Sequence, residues 1–405
     1  MEFFYIWKNF FRVVRILKTF EEVREDIPLL QKVIYLDSAA TTPKPRQVVK
    51  AMEEYFFEYC ANVGRGAHSL AQKSTEEYEK TREKIAKFLN VKPKEIIFTK
   101  NCTEAINIVA SGLNWKENDK IIVSNIEHHS NFLPWQRIAK NFKVKLDVVA
   151  ATKDGMILPS AIEEKLDKNT KVIAITHISN VLGTIQPINE ISKLAKDFGA
   201  LTVGHIKVDL KKINCDFFAF SGHKGLLGPQ GTGGLWSKHL GKLEPLTLGG
   251  GAVFDVAESK YELLQPPHQF EAGTPNIPGI IGLGRAIDYV NEIGIENIEK
   301  YNKKLLEVAL KQLGQIEKVE VYGPKTTENK ADLVSFNVSG INPHDVAIIL
   351  DESERIIIRS GHHCAIPAVK MLGTDGTARA SFHYYNLESE IGKLATTLEK
   401  ISKLS

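Results

Sequence analysis

Cysteine is scarce in this chain. There are four in 405 residues, Cys60, Cys102, Cys215 and Cys364. They lie far apart, so they offer neither a disulfide framework nor paired metal-ligand spacing, and a reducing cytoplasm fits them best. An excess of one charge is also lacking: 52 basic residues stand against 49 acidic ones, a formal net charge of +3. That balance argues against nucleic acid or an anionic membrane as the main partner. No apolar run reaches the ~20 residues of a membrane span. Internal repeats and low-complexity tracts are absent too. What remains, 43% hydrophobic and 25% charged residues, is the composition of a globular protein. The length accommodates a large domain and a smaller one.

The first 19 residues stand apart. Their aromatic and aliphatic side chains are interrupted by Lys8, Arg12, Arg15 and Lys18, too early for a secretory signal or a spanning helix. The segment reads as an extension, either docked on the body of the chain or an amphipathic helix for a surface or a partner.

Beyond it, short apolar runs alternate with helix-like stretches. Strands are expected at 95–99, 120–124, 146–150, 172–176, 200–203 and 215–220. Helices are expected at 103–111, 160–166 and 188–198, the last capped by Gly199. This βα alternation predicts a mainly parallel sheet covered on both faces, with ligands beyond the carboxyl ends of its strands. After about residue 282 the character changes. One long helical stretch, 286–314, leads to strands near 319–321 and 333–337 and a helix at 343–350, as in a second, α+β domain. The expected organisation is an extension (1–19), a large domain (20–285, with 20–34 packing on the small one) and a small domain (286–405).

One lysine has unusual surroundings. Ser221-Gly222-His223-Lys224 follows the apolar run Phe217–Phe220 and precedes a glycine-rich stretch from Gly225 to Gly234. A strand that delivers a lysine to a crowded site should lower its pKa and make the amine nucleophilic, as a Schiff-base lysine requires. The adjoining hydroxyl and imidazole suit a phosphate. A lysine merely snorkelling from a strand end is the plainer alternative.

Five other segments carry polar chemistry at expected strand ends or in glycine-rich loops. Around Thr103, a strand-to-helix turn makes an anion cradle, or simply a capped helix. Glu127-His128-His129 offers an imidazole to lie over an aromatic cofactor, or a hydrogen-bonded loop histidine; matching metal ligands are not evident. Asn180 sits in a loop as a donor to a cofactor oxygen, or as an ordinary Asx turn. Arg359-Ser360-Gly361-His362-His363-Cys364 surrounds a thiol with cations that favour the thiolate. Arg379 offers a fork suited to a carboxylate, or a surface ion pair.

In combination these segments resemble the class V aminotransferase family of fold-type I pyridoxal-phosphate enzymes, and within it the SUF-type cysteine desulfurases, also called selenocysteine lyases. The resemblance runs from about Phe20 to the end. It rests on Tyr35 through Thr42, Glu127-His128-His129, Ser221 through Lys224, Phe270 through Pro275, and Arg359 through Ala365. It implies a large domain with a mainly parallel seven-stranded sheet, a smaller α+β domain carrying the Cys364 loop, and a homodimer. Lys224 would form the internal aldimine and move protons at the substrate α-carbon. Thr103, Cys102, Ser221 and His223 would surround the phosphate, with Thr274 reaching in from the other subunit. His128 would stack on the pyridine ring, and Asn180 would touch cofactor and substrate. Arg379, with Asn180, Ala40 and Arg359 nearby, would hold L-cysteine. Cys364 would take the sulfur as a persulfide for a SUF acceptor protein and iron–sulfur cluster assembly. L-Selenocysteine is the alternative substrate.

Two departures qualify the resemblance. The family carries Asp-x-(Ala/Gly)-Gln after the strand that here ends Ala200-Leu201-Thr202-Val203; the Asp partners the pyridinium nitrogen. In this chain Val203 runs into Gly204-His205-Ile206-Lys207-Val208-Asp209, and about six or seven residues, with both side chains, are missing. That predicts an impaired enzyme, or a silent homologue acting as a partner subunit. Gly64 also stands where relatives often carry a histidine.

Overall fold

A computed structural model describes residues 18–403, except 65, 198–200, 205–209, 211, 212 and 214. The extension at 1–17, the Gly199 cap and the segment after Gly204 therefore lie outside the described residues.

The main sheet has seven strands: β1 (Ile96–Thr99), β2 (Lys120–Ser124), β3 (Lys145–Val149), β4 (Thr170–Ala174), β5 (Leu201–Gly204), β6 (Phe217–Ser221) and β7 (Gly233–Ser237). Their order is β1-β7-β6-β5-β4-β2-β3. Neighbours from β6 to β3 are parallel, while β7 runs antiparallel to both β6 and β1. Every residue of β1, β2 and β7 is buried, the continuous apolar pattern of strands covered on both faces. The edge strand β3 instead exposes Lys145 and Val148 and carries Asp147, charges that discourage further pairing.

Helices α1 (Arg46–Glu58), α2 (Ser69–Leu89), α3 (Cys102–Gly112), α4 (Leu133–Phe142) and α5 (Ile188–Asp197) cover this sheet together with α6 (Ile277–Ile293). One apolar cluster joins Ile122, Ile173 and Phe218 to Ile280 and Leu283. A second, holding Ile121, Val172 and Phe217, packs under Val109 and Trp135.

The expected single helix at 286–314 is corrected by the structure. α6 begins at Ile277, capped by Asn276, and ends at Ile293. α7 (Ile295–Leu313) follows at once. Gly294 turns the chain between them with φ +85°, a conformation that favours glycine. The division expected after residue 285 thus falls inside a helix. α6 packs on α1 and α2, whereas α7 packs on the second sheet.

That second sheet orders β8 (Val319–Tyr322), β9 (Leu333–Val338), β10 (Arg359–Gly361) and β11 (Thr377–Ser381) as β8-β9-β11-β10, antiparallel throughout. Helices α7, α8 (Pro343–Glu354) and α9 (Glu388–Ser402) complete its core around Leu306, Phe336, Leu350 and Leu394. The segment before α1 is tied to this part: Ile34–Tyr35 pairs in parallel with Ile356–Ile357. No described helix is long and apolar enough to cross a membrane.

Candidate active site

The site collects at the carboxyl ends of the parallel strands, facing β10 and β11. β6 delivers Ser221, and the chain turns at Gly222 to present His223 and Lys224. The His223 carbonyl is crowded with donors: Thr42 N at 3.0 Å, Thr41 Oγ1 at 3.1 Å, Thr42 Oγ1 at 3.3 Å and Lys44 Nζ at 3.1 Å. Thr42 Oγ1 also donates to the Lys224 carbonyl at 2.9 Å. The Tyr35–Thr42 motif therefore fixes the backbone beneath Lys224. Lys44 stands among these groups without a carboxylate contact from the described residues, and burial lowers its pKa to about 7.

Lys224 is partly buried, and its amine makes no hydrogen bond to a described residue. Burial pulls it below the usual lysine range; the Arg379 and Arg359 cations add to this, and Cys102 and Cys364 oppose it. His223, its Nδ1 3.3 Å from Thr41 Oγ1, is held at about 4 by burial and by the Lys224 and Lys44 cations. It is neutral near pH 7.

The anion cradle lies beside this lysine. Asn101 caps α3 by accepting from Glu104 N at 2.9 Å. Cys102 N donates to Ser221 Oγ at 3.4 Å, which joins the helix start to the lysine turn. Gly233 sits where these pieces meet. A Cβ there would lie 2.7 Å from Phe220 O and 2.8 Å from Asn101 Cα, so only glycine permits the approach. Cys102 itself is buried, its thiol raised to about 12 by desolvation, and it is inert.

After β2, Glu127 is buried, yet its carboxylate is saturated. It meets Ser124 Oγ at 2.5 Å and accepts from Asn131 Nδ2 at 2.7 Å and from Thr176 N at 3.0 and 2.9 Å. Burial raises it to about 7 against those bonds. The effect is to bind the end of β2 to the end of β4, which sets His128. His128 Nδ1 accepts from Ser130 N at 3.1 Å, and its ring lines a cavity of about 400 Å³ with Thr103, His129 and Cys364.

Asn180 joins the two ends of the site. Its Nδ2 donates to the His363 carbonyl at 2.7 Å, and its own carbonyl accepts from Arg379 Nη1 at 2.8 Å. Arg379 is buried, so it is not the surface ion pair that its sequence context also allowed. Its Nη2 donates to Asp37 Oδ1 at 3.0 Å, and its Nε is buried without a partner among the described residues. Burial pulls Arg379 below and Asp37 above their ordinary values, while their mutual attraction opposes both. Arg359 stands directly across the β10–β11 ladder from Arg379, a like-charge pairing that is unfavourable by itself. Its Nη2 lies 3.4 Å from the Sγ of Cys364, which is exposed.

Of two further expected residues, Ala40 borders this cluster and Thr274 lies apart from it. Ala40 lies in the turn that closes through its N–H to the Asp37 carbonyl. Thr274 is on an exposed loop near Asn62, with no described contact to Lys224. The loop's neighbour Glu271 is its anchor: it accepts from Arg82 Nη1 at 2.7 Å, Arg82 Nη2 at 2.9 Å and Phe98 N at 2.8 Å. Sequence reasoning singled out neither Glu271 nor Glu127 for these roles, because their partners are far along the chain.

The donor set fits pyridoxal phosphate. A lysine amine without a hydrogen-bond partner among the described residues, a helix start joined to a serine, and two facing arginines, one with an Nε that no described residue meets, call for a carbonyl, a phosphate and a carboxylate. The comparisons agree. The aminotransferase class-V model matches residues 34–394, and the chain belongs to that family. Among its relatives are probable cysteine desulfurases of Methanothermobacter thermautotrophicus (51% identical, 94% of this chain, 98% of that protein) and Pyrococcus abyssi (46%, 95% and 98%). The apo cysteine desulfurase of Thermococcus onnurineus NA1 superimposes with a TM-score of 0.92 at 45% identity, covering 95% of this chain and 98% of that one. The Escherichia coli cysteine desulfurase CsdA gives 0.88 at 31%, with coverage of 96% and 99%. Fold, site and kinship define a pyridoxal-phosphate-dependent enzyme of the cysteine desulfurase kind.

Proposed function

We propose that the chain converts L-cysteine to L-alanine, leaving the sulfur as a persulfide on Cys364. The observation that carries the assignment of roles is the Asn180 bridge, which couples Arg379 to the Cys364 loop through contacts of 2.8 and 2.7 Å. Thr103, Ser221 and neutral His223, with Cys102 beside them at the start of α3, would hold the cofactor phosphate, and His128 would contact its ring. Pyridoxal phosphate, when bound, supplies the electron sink at the substrate α-carbon. Arg379 and Asn180, flanked by Ala40, hold the substrate carboxylate, while Lys224 takes and returns the α-proton. The Cys364 thiolate, steadied by Arg359, attacks the substrate sulfur. The new S–S bond forms as the Cβ–S bond breaks, and a proton completes the alanine methyl group. The sum is L-cysteine plus a thiol giving L-alanine plus a persulfide.

We also infer a cytoplasmic homodimer in which Thr274 of one subunit completes the other's phosphate site. Its persulfide passes to a SUF-type acceptor protein for iron–sulfur cluster assembly. The Asp-x-x-Gln segment missing after Val203 should slow turnover. A hydrogen bond to a charged group is worth about 1.5–3 kcal/mol, so its loss at the transition state predicts a rate about 10- to 100-fold lower. Alanine release with the cofactor's absorbance tests both statements. Lys224→Ala should lose the visible band and all turnover. Alanine release by Lys224→Ala at the parent rate would refute the assignment, and turnover equal to that of relatives bearing the Asp would refute the impairment.

A further inference from the structure

His129, the neighbour of the ring-facing His128, has no part in the roles above, yet it touches the thiol loop twice. Its backbone N–H donates to the Cys364 carbonyl at 2.7 Å. Its Nε2 accepts from the Ile366 N–H at 3.2 Å. Both contacts fall immediately after the nucleophile, on either side of Ala365. They matter because His363 and Cys364 both adopt left-handed backbone conformations, with φ +53° and +58°. Such conformations cost energy for residues with a Cβ and persist only where surrounding contacts over-determine them. Asn180 fixes the His363 carbonyl on one side, and Nε2 of buried His363 sits 2.8 Å from Thr377 Oγ1. On the far side of the thiol, the contacts come from His129.

We propose that His129 is a positioning residue for sulfur transfer: its imidazole clips the backbone after Cys364 and holds the thiol at a fixed place relative to the His128 ring. The role requires a neutral imidazole, with its proton on Nδ1 and the Nε2 lone pair turned to Ile366. Burial and the neighbouring His362 hold His129 below the ordinary histidine range, in keeping with that tautomer. The backbone half of the clip survives any substitution but proline, so replacing the side chain removes the Nε2 contact alone. This inference rests on Cys364 being the sulfur acceptor.

The test compares His129→Phe, which keeps a ring without an acceptor, with His129→Gln, whose side-chain oxygen can take the Ile366 N–H. Both are prepared loaded with cofactor. In His129→Phe we expect kcat for alanine release and the rate of persulfide formation on Cys364 to fall about tenfold, the loss of one well-placed hydrogen bond. The KM for L-cysteine and the visible band should remain near the parent values. Deuterium uptake at the peptide containing Ile366 should accelerate, and His129→Gln should recover most of both effects. The proposal is overturned if His129→Phe forms persulfide at the parent rate, or if His129→Gln is as slow as His129→Phe. It is also overturned if Ile366 exchange is unchanged. Should the parent itself form no persulfide on Cys364, the functional reading fails, while the exchange measurement still reports on the clip.

Discussion

The two side chains to which we assign the chemistry, Lys224 and Cys364, sit in opposite environments. Lys224 is partly buried just beyond β6, a strand buried along nearly its whole length, with its peptide pinned by Thr41, Thr42 and Lys44. Cys364 is exposed on a loop whose backbone is held in an unfavourable conformation from both sides. The difference suits the tasks we propose for them. An amine that must lose its proton near neutral pH gains from desolvation and neighbouring cations. A thiol that passes sulfur onward must remain accessible, so its placement depends on hydrogen bonds to a loop rather than on burial.

Separate deletions sharpen this contrast most. Lys224→Ala and Cys364→Ser should each lower desulfuration by at least about a thousandfold. Only the lysine variant should also lose the visible band, as absorbance spectra of the two purified proteins will show. A band lost in both would mean that the two ends are not independent.

On the lysine side, rigidity comes from buried charge. Arg82 and Glu271 pair at 2.7 Å with both side chains buried, and Glu271 also holds Phe98 N. Removing one partner strands the other, so Arg82→Met should cost about 3–5 kcal/mol in denaturant unfolding. A loss under 1 kcal/mol would show that the sheet edge does not depend on this pair.

His177, at the end of β4, reports the same burial through pH. Desolvation depresses it to about 4, while an unfolded chain holds it near its ordinary ~6.5. Between those values the unfolded state binds more protons, so stability rises from about pH 4 to 6.5 and then levels. His177→Gln should remove up to about 3 kcal/mol of that rise. Unfolding curves at pH 4.5 and 7 measure it, and an unchanged difference would contradict the burial argument.

The smallest effect is expected on the thiol side. Arg359→Lys gives up the Nη2–Sγ contact at a partly open position. A loss of about 1 kcal/mol corresponds to roughly fivefold slower alkylation of Cys364 by iodoacetamide at neutral pH. An effect as large as that of Cys364→Ser on desulfuration would place Arg359 in the chemistry itself.

Much of this was legible in the sequence, for local reasons. Continuous apolar runs such as Ile121-Ile122-Val123 read as buried strands, and Lys224, Cys364 and Asn180 stand in segments whose polarity is out of place beside such strands. What escaped is non-local. Glu127 reaches Thr176, 49 residues on, and Glu271 reaches Arg82, 189 residues back. No spacing rule finds such partners. The break at Gly294 was missed because a lone glycine within an apolar periodicity is compatible with a helix; only its φ of +85° reveals the turn. Arg379 was legible as a carboxylate fork, but its pairing with Asp37 required the β11 strand to be seen beside the Tyr35–Thr42 segment.

The most direct measurement is intact-protein and peptide mass spectrometry after the cofactor-loaded chain is incubated with L-cysteine, with alanine quantified in the same sample. A Cys364 peptide one sulfur atom heavier, with alanine formed in step until the thiol is saturated and neither product in Lys224→Ala, is the predicted result. Alanine without sulfur on Cys364, or sulfur on Cys364 in the lysine variant, would contradict it.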